Sequence, residues 1–252
     1  MILWLRKRQK ALKDVVHKMA YTKRFDGREF DETREMKIKV GVIPRADGSA
    51  SFSFGDSIAI AAVYGPKPLH PQHLQNPEKG VLRVHYDMIS FSVTERKKPG
   101  PSRRSSEISK VMEWALMPVL QLDAFPNTVI DLFVTIIQAN ASTRCAAINA
   151  ASIALASAGV PMTDLVTAVS VGKIDKSIVV DLIKEEEDYE DGEGATDIPF
   201  AFLANSGKVS LFQLDGKISV DELKKAVEAG KDSCKKIYAE QKKALKSIKE
   251  QK

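Results

Sequence analysis

An alanine-rich segment at residues 143–158 constrains the fold more than any other feature of this sequence. It follows a strongly apolar run at residues 128–137, so a strand is predicted to lead into a helix. Side chains this small let a helix lie close against a sheet or another helix. We therefore expect a closely packed helix, with alanines at Ala146, Ala147, Ala150, Ala151, Ala154 and Ala156.

Short strands separated by turn signals dominate the rest of the first half. Ala46–Ser49 contains Asp-Gly, a pair that accepts positive φ and predicts a hairpin turn. The stretch from Pro66 to Gly80 holds four prolines, so it is expected to be neither helix nor central strand. Strands are predicted at residues 36–42, 50–54, 58–64, 81–88, 128–137, 165–171, 178–183, 198–203 and 209–214.

Two more helices complete the predicted elements and decide the fold class. One covers residues 105–122 with an apolar face, and a long terminal helix begins at the capping box Ser219–Glu222. Strands come first and a helix last, without βαβ alternation throughout, which favours an α+β fold over a doubly wound sheet. We predict two similar βαβ-containing halves, residues 24–158 and 159–239, flanked by a basic tail or helix at 1–23 and a Lys-rich tail at 240–252.

Basic charge is concentrated towards the ends of the chain. The whole sequence carries +5 at pH 7, but residues 1–24 hold eight basic side chains against one acidic, a net charge of +7. The remainder is therefore −2 and includes an acidic run at residues 185–191. Basic tails around a near-neutral body suit a polyanionic partner such as RNA. Solvated surface helices with ordinary charge explain the same composition about equally well.

Composition excludes several classes of protein. Two cysteines, Cys145 and Cys234, are too few for a disulfide framework or a Cys-rich zinc site. No stretch approaches the roughly 18–20 apolar residues needed to span a bilayer. The apolar Met1–Leu5 precedes its basic residues, which is the reverse of a secretory signal. We therefore expect a soluble, cytoplasmic protein without a membrane partner.

The segment Asn140–Arg144 lies between the apolar strand and the alanine-rich helix. Backbone N–H groups at the start of a helix are unpaired, and the helix dipole favours an anion there. Ser142 and Thr143 add hydroxyl donors, and Arg144 adds a planar guanidinium that suits phosphate. From this motif alone, an ordinary N-cap beside a surface arginine remains the simpler interpretation.

Two other segments carry charged side chains that could take part in binding or catalysis. Arg103 and Arg104 precede the first predicted helix, and they matter only if the fold brings them to the Arg144 region. The acidic run leads to Asp191 and Asp197, and carboxylates held close together share a proton or a divalent cation. Either arrangement serves a general acid or a metal-assisted leaving group, although most acidic loops are simply solvated.

Other catalytic templates are absent from the sequence. There is no Walker A or GxGxxG loop, and no HExxH or CxxC pair. The histidines His17, His70, His73 and His85 are too scattered to indicate a zinc site. Cys145 is followed by an apolar helix, so we interpret it as a packing residue.

Several short stretches, taken together and in order, are typical of one known family. They are Arg24–Arg28, Arg45–Ala50, Ala62–Pro66, His70–His73, Phe91–Lys97, Pro101–Arg104, Pro126–Asp131, Ala156–Met162 and Leu211–Gly216. With them the chain resembles the RNase PH family, and most closely the catalytic RNase PH-type ring subunit of the archaeal exosome. The resemblance covers Arg24 to Ala239, nearly the whole body of the chain.

The resemblance implies a fold and a reaction. The family fold is α+β, related to the second domain of ribosomal protein S5. The implied activity is that of a phosphorolytic 3′→5′ exoribonuclease, in which inorganic phosphate attacks the last phosphodiester of single-stranded RNA and releases a nucleoside diphosphate. The reverse reaction adds 3′ tails. Phosphoryl transfer needs positioning and charge neutralisation more than covalent help from the protein.

The resemblance also assigns roles to residues of this chain. Ser142, Thr143, Arg144 and Arg104 would bind the attacking phosphate. Asp191 and Asp197 would be the catalytic pair and ligate Mg²⁺, with Asp188 as the substitute for Asp191 because the acidic loop is longer than expected. The residues assigned to RNA are Arg103, Arg104, Lys67, His70, His73 and Arg83.

The implied assembly is a hexameric ring with a central pore. In it this chain would alternate with a non-catalytic RNase PH-like paralogue, beneath RNA-binding cap subunits. Two other functions stay open: a catalytically weak or inactive ring subunit that assembles the exosome and conducts RNA, and a self-assembling RNase PH that trims transfer RNA ends. Retention of the acidic pair favours the active subunit.

Overall fold

The computed structural model describes residues 21–190 and 192–250, the last three by backbone alone. Within them, the strands are β1 (Met36–Val40), β2 (Gly48–Phe54), β3 (Ser57–Pro68), β4 (Val81–Met88), β5 (Thr128–Gln138), β6 (Val166–Ile174), β7 (Ser177–Val180), β8 (Ala195–Leu203) and β9 (Val209–Phe212). The helices are α1 (Arg103–Leu116), α2 (Thr143–Ser157), α3 (Lys184–Glu187) and α4 (Val220–Glu250). Single 3-10 turns occur at Gln72–Leu74, Met117–Val119 and Leu122–Ala124.

The strands form two sheets that differ in strand direction. The first has the order β1-β2-β3-β5-β4 and is antiparallel except for β4 and β5, which are parallel and joined through α1. The second has the order β7-β6-β8-β9 and is antiparallel throughout. The predicted βαβ unit is therefore found as β4-α1-β5 in the first half. In the second half the helix α4 follows all four strands, so no crossover joins parallel strands there.

Three helices form a layer between the two sheets. The first, α1, contacts β4 and β9; α2 contacts β2, β3 and β6; and α4 contacts β1 and β6. Sheets cover α2 from both sides, and it is buried along nearly its whole length. A helix in this position must be apolar all round, and small side chains keep its backbone close to both sheets. The close packing predicted for the alanine-rich segment is thus present on two faces.

Gly48 is required for close packing against α2, whereas the Asp-Gly pair predicts that it provides a positive φ in the turn. The hairpin between β1 and β2 is present, but Gly48 is already the first residue of β2. A Cβ at this position would lie 2.4 Å from the Ala154 carbonyl oxygen of α2. The glycine is therefore needed for the approach of strand to helix.

The prolines of the predicted loop at residues 66–80 do not end β3 at residue 65. The strand continues through Pro66 to Pro68, so β3 is longer than the predicted strand at residues 58–64. In this stretch β3 pairs with β5 alone, because its pairing with β2 ends at Val63. No second strand there needs the N–H groups that proline lacks.

Helix and strand ends differ from prediction in ways that matter for the site. The first helix, α1, ends at Leu116 and gives way to 3-10 turns around Pro118, since proline lacks an N–H and fixes φ. The strand β8 begins at Ala195 instead of residue 198, so Asp197 lies within a strand, opposite Gly172 of β6. Its backbone is fixed by β6 on one side and by an isolated bridge to Asp215 on the other.

The terminal helix follows its predicted start. The Ser219 N–H donates to Glu222 Oε2 at 3.0 Å, which is half of the capping box. The helix runs through the predicted boundary at residue 240, and Gln241 is buried against β6, donating to the Val166 carbonyl at 3.3 Å. Residues 1–20 of the predicted basic tail and Asp191 lie outside the described residues.

None of the described helices combines the length and apolarity required to cross a bilayer.

Candidate active site

A cavity of about 670 Å³ opens where the two halves of the chain meet. The first half contributes Arg104 of α1 and the first turn of α2, Thr143 and Arg144. The second half contributes Asp188, which follows α3, and Asp197 of β8. The segment predicted to bind an anion and the segment predicted to supply carboxylates therefore face one space.

The start of α2 has the geometry of an anion site. Ala141 and Ser142 both have positive φ, +53° and +52°, a conformation that costs roughly 1–2 kcal/mol for a residue with a side chain. Strain of this kind is concentrated at functional sites, where the surrounding structure holds it in place. No side chain caps α2, so the N–H groups of its first turn are directed at the cavity without a partner of that kind.

Ser142 lines the cavity, as its predicted role requires, and its hydroxyl also makes a contact within the protein. Its hydroxyl donates to the Leu182 carbonyl at 3.2 Å, which links the α2 start to the second half of the chain. All four predicted phosphate ligands, Ser142, Thr143, Arg144 and Arg104, line the cavity. Ser142 contributes through its left-handed backbone, which turns the chain into the helix.

The two arginines at the cavity, Arg104 and Arg144, have no carboxylate within ion-pair distance among the described residues, unlike Lys97 and Lys184, which pair with Asp87 and Asp188. Arg144 donates from Nη1 to the neutral side chain of Gln213, next to β9. Arg104 lies in the first turn of α1 and is exposed. Arg103, the neighbouring residue, is also exposed but does not line the cavity. Uncompensated positive charge is what a bound phosphate requires.

Asp197 of β8 lines the part of the cavity that the second half of the chain contributes. One of its oxygens accepts a hydrogen bond from the Ser170 hydroxyl of β6. Burial, assisted by the nearby carboxylates of Glu187 and Asp215, raises the pKa of Asp197, and the Ser170 hydroxyl and Arg144 only partly oppose the rise. A carboxyl group in this environment keeps a proton to higher pH than an ordinary aspartate, which suits a general acid.

Asp188 is the described alternative for the second carboxylate. It lines the cavity, and its Oδ1 forms an ion pair with Lys184 Nζ at 2.6 Å. Asp191 lies outside the described residues. The choice between the two therefore stays open.

The carboxylates at the cavity fit a divalent cation that takes only one or two of its ligands from the protein. Mg²⁺ keeps several waters and uses one or two carboxylates together with phosphate oxygens. Asp197 and Asp188 meet this requirement, while the described part of the chain contains no cluster of three metal-ligating side chains. The donor set thus fits an ion shared with a substrate phosphate better than a closed protein cage.

The other predicted RNA-binding residues lie at the far end of β4 and β5. Lys67 and Arg83 both pair with the buried carboxylate of Asp131, at 2.6 Å each. His70 and His73 are exposed in the segment between β3 and β4. Asp131 is eight residues from Ala139 at the cavity, about 26 Å along an extended strand. The structure does not bring this group to the cavity.

Two buried arginines hold the cavity walls together. In the sequence analysis Arg24 was only part of a stretch typical of the family, and Arg34 was not singled out. Arg34 forms a bidentate ion pair with Asp181, with Nη2 to Oδ1 at 2.6 Å and Nε to Oδ2 at 2.8 Å. It also donates to the Asn140 carbonyl at 2.6 Å. Arg34 therefore joins the segment before α2 to the segment before α3.

Arg24 acts in the same way on α3. Its guanidinium is buried and donates to both carboxylate oxygens of Glu186, each at 2.9 Å. Tyr21 donates to the same carboxylate at 2.6 Å. Since Glu186 precedes Glu187 and Asp188, this cluster fixes the acidic wall of the cavity. A buried arginine needs a carboxylate partner, but the partners of Arg24 and Arg34 are more than 140 positions away in the sequence. The sequence therefore does not indicate which residues they are.

Two family models match most of the chain. The one described as "3' exoribonuclease family, domain 1" matches residues 32–161, and "3' exoribonuclease family, domain 2" matches residues 164–233. The chain belongs to the RNase PH family. The predicted family and the predicted α+β RNase PH fold are thereby confirmed, and the observed cavity lies between the two RNase PH domains.

The similarity of this RNase PH chain to exosome proteins extends over both halves. It is 50% identical over 223 residues to exosome complex component Rrp41 of Methanopyrus kandleri, covering 88% of this chain and 92% of that protein. It is 51% identical over 224 residues to Rrp41 of Thermococcus kodakarensis, covering 89% and 88%. The solved structure of rice Rrp46 superimposes with a TM-score of 0.78 at 26% identity, covering 88% of this chain and all of that one.

Proposed function

We propose that this protein is the catalytic subunit of an exosome ring, a phosphate-dependent 3′→5′ exoribonuclease of the nucleotidyltransferase class. One observation carries the proposal: the start of α2 with Arg144, and Asp197 of β8, line a single cavity. An anion site and a carboxyl group with a raised pKa in one cavity are the two parts that phosphorolysis requires.

The phosphate side of the cavity supplies the nucleophile. The first-turn N–H groups of α2, Thr143, Arg144 and Arg104 would hold inorganic phosphate and offset its charge. A phosphate oxygen then forms a bond to the phosphorus of the terminal phosphodiester. The bond from that phosphorus to the 3′ oxygen of the preceding nucleotide breaks, which releases a nucleoside diphosphate. In the reverse direction the same groups bind the phosphate that leaves as the chain is extended.

The carboxyl side of the cavity acts on the leaving group. The proton held by Asp197 would pass to the departing 3′ oxygen, and the raised pKa lets the carboxyl keep that proton to higher pH than an ordinary aspartate. As the alternative to this proton, Asp197 with Asp191 or Asp188 would hold Mg²⁺, which would supply charge neutralisation at the leaving oxygen. Ser170 orients Asp197 through its hydroxyl.

Single-stranded RNA would approach along exposed cations. Arg104 lines the cavity and Arg103 is its exposed neighbour, so both suit the backbone near the 3′ end. Lys67, His70, His73 and Arg83 suit an earlier part of the path. The similarity to Rrp41 proteins supports a cytoplasmic hexameric ring with an RNase PH-like paralogue and RNA-binding caps.

A catalytically weak ring subunit is the second candidate function. Arg144 is held by Gln213, and Asp188 is neutralised by Lys184. Both contacts occupy groups that phosphorolysis needs, and this favours a structural subunit that conducts RNA. Phosphate binding would have to displace the Gln213 contact, which involves only a neutral partner.

The decisive experiment measures product chemistry. The full chain, alone and with its ring partner, is incubated with labelled single-stranded RNA and Mg²⁺, with and without inorganic phosphate. Nucleoside diphosphates that appear only with phosphate support the proposal. Nucleoside monophosphates, or cleavage indifferent to phosphate, exclude phosphorolysis. RNA binding without degradation supports the structural subunit.

A further inference from the structure

The exposed side of α4 carries a row of lysines that the proposed mechanism does not use. Because an α-helix turns by about 100° per residue, positions 224, 231, 235, 242 and 246 lie within about 60° of one another around the axis. All five hold exposed lysines, which we call the basic stripe: Lys224, Lys231, Lys235, Lys242 and Lys246. The stripe extends over about 33 Å of the helix. The buried residues of α4, among them Ile237 and Gln241, lie on a different face.

Nearby carboxylates offset little of the charge of the basic stripe. Lys224 pairs with Asp221 and Lys235 pairs with Asp232, but both ion pairs are strongly exposed, and such pairs contribute little. The other three lysines have no ion-pair partner among the described side chains: Lys231, Lys242 and Lys246. Residues 231–247 hold six lysines against two acidic residues, a net charge of +4. The stripe therefore presents uncompensated positive charge.

A second row of lysines on α4 shows the usual pattern of a solvated helix face. It lies about 100° around the axis from the basic stripe and consists of Lys225, Lys236 and Lys243. Each has an acidic residue three or four positions away, as Lys236 has in both Asp232 and Glu240. Opposite charges at this spacing are typical of a helix that faces solvent. Lys242 of the basic stripe has no acidic residue at these spacings, and its neighbour one turn on is Lys246.

Two ordinary roles of basic residues do not account for the basic stripe. The helix dipole favours cations only in the last turn, whereas α4 continues to Glu250, beyond all five lysines. A helix that lies on a lipid surface needs apolar side chains beside its cations. The apolar side chains of Leu223, Ile237 and Leu245 instead pack in the core.

Tyr238 adds an aromatic ring beside the basic stripe. It is half-buried, and its hydroxyl donates to Asn205 Oδ1 at 3.4 Å. Lys242 Nζ lies 5.7 Å from the centre of its ring. Surfaces that bind single-stranded nucleic acid without sequence preference combine cations that follow the backbone with aromatic rings. The stripe and Tyr238 have both parts.

We propose that the basic stripe of α4 is a second RNA-binding surface, which holds the phosphate backbone of single-stranded RNA outside the cavity. It offers ammonium groups to phosphates, so binding there is independent of sequence and falls steeply with salt. The stripe holds RNA and takes no part in the chemistry. The inference goes beyond the proposed function and rests on it only in taking RNA as the polyanion.

Two triple variants of the full chain remove the same charge from different sides of α4. The stripe variant carries Lys231→Gln, Lys242→Gln and Lys246→Gln, and the control variant carries Lys225→Gln, Lys236→Gln and Lys243→Gln. Glutamine is a good helix former and all six positions are exposed, so the unfolding temperature should stay the same. Without phosphate, we expect the dissociation constant of the stripe variant for a single-stranded RNA of ~40 nucleotides to rise roughly tenfold at low salt. Its salt dependence should become shallower by about two units, and the control variant should change the dissociation constant less than ~3-fold.

The outcomes separate this inference from the proposed function. In the assembled ring, KM for RNA should rise in the stripe variant while kcat stays unchanged. An unchanged RNA affinity, or equal losses in the stripe and control variants, would overturn the inference. Loss of binding to phosphatidylserine vesicles with unchanged RNA affinity would make the stripe a lipid surface, which also overturns it. If the unsubstituted ring degrades no RNA with phosphate but the stripe variant still loses RNA affinity, the proposed function fails and the inference stands.

Discussion

Arg104 and Arg144 at the cavity, and Lys67 and Arg83 at the far end of β4 and β5, are both pairs of cations, but they differ in their partners. The far pair shares the buried carboxylate of Asp131. Burial by itself would raise the pKa of that carboxyl, yet the hydrogen bonds from Arg83 and Lys67 outweigh it and leave the pKa lowered. The cavity pair has only a neutral amide contact among the described residues.

This difference separates a chemical site from a binding surface. Cations without a local counterion, next to unpaired N–H groups, give a high affinity for a small dianion. Cations already neutralised by a carboxylate contribute mainly long-range attraction to a polyanion, which salt screens. We therefore expect substitutions at the cavity to change chemistry, and substitutions at the far pair to change RNA affinity.

The largest effect is expected from Arg144→Ala. It removes a guanidinium from the phosphate site, and we expect the phosphorolysis rate to fall ~10³-fold or more, while ring assembly is unaffected. Arg83→Ala is the matched control and should lower the rate less than ~3-fold at saturating RNA. Rates are measured from nucleoside diphosphate release. Similar losses in the two variants would remove the distinction between the clusters.

Asp197→Asn is expected to lower the rate by ~10²–10⁴-fold. Since the pKa of Asp197 is raised, the unsubstituted rate should fall as pH rises through that pKa and the carboxyl loses its proton, and Asn should remove this limb. Burial disfavours the ionised form in the folded state, so the variant should be at least as stable at alkaline pH. A pH–rate profile and thermal unfolding check both points, and a large loss of stability would mean that Asp197 is structural.

Asp188→Ala and Asp191→Ala, made separately, identify the second carboxylate. The variant that removes it should lower the rate by ~10²-fold, and the other should change it less than ~3-fold. Asp188 pairs with Lys184 at an exposed position, so its loss should cost at most ~1 kcal/mol of stability. Full activity in both variants would contradict a two-carboxylate site.

Asp131→Asn should have the smallest effect on chemistry and the clearest effect on binding. It releases Lys67 and Arg83 from their shared counterion. We expect RNA affinity to rise a few-fold at low salt, with a salt dependence steeper by about one unit. Binding isotherms at several salt concentrations measure this, and an unchanged slope would show that the far pair does not meet RNA.

The sequence predicted which residues line the cavity better than it predicted their contacts and their positions in the strands. Order and spacing of strands gave the fold class, and residues 140–144 and 197 were singled out from helix-start and carboxylate chemistry. That Arg83 is neutralised by Asp131 depends on the parallel pairing of β4 with β5, which periodicity does not reveal. Likewise, Asp197 was predicted before β8 because Gly192 and Gly194 resemble a turn, whereas pairing with β6 extends the strand to Ala195.

The residues missed by sequence reasoning act across long separations. Arg34 lies 147 positions from Asp181, and nothing local to either residue indicates the other.

The helix α2 lies between both sheets, so the cavity exists only when both domains have formed around it. During synthesis the ribosome releases Arg103, Arg104 and Arg144 well before Asp197. Under the proposed function, a nascent chain would therefore present its phosphate-binding cations before its general acid. We expect the denaturant concentration that halves activity to coincide with the one that halves folded protein. A partly folded molecule would then be harmless to cellular transcripts.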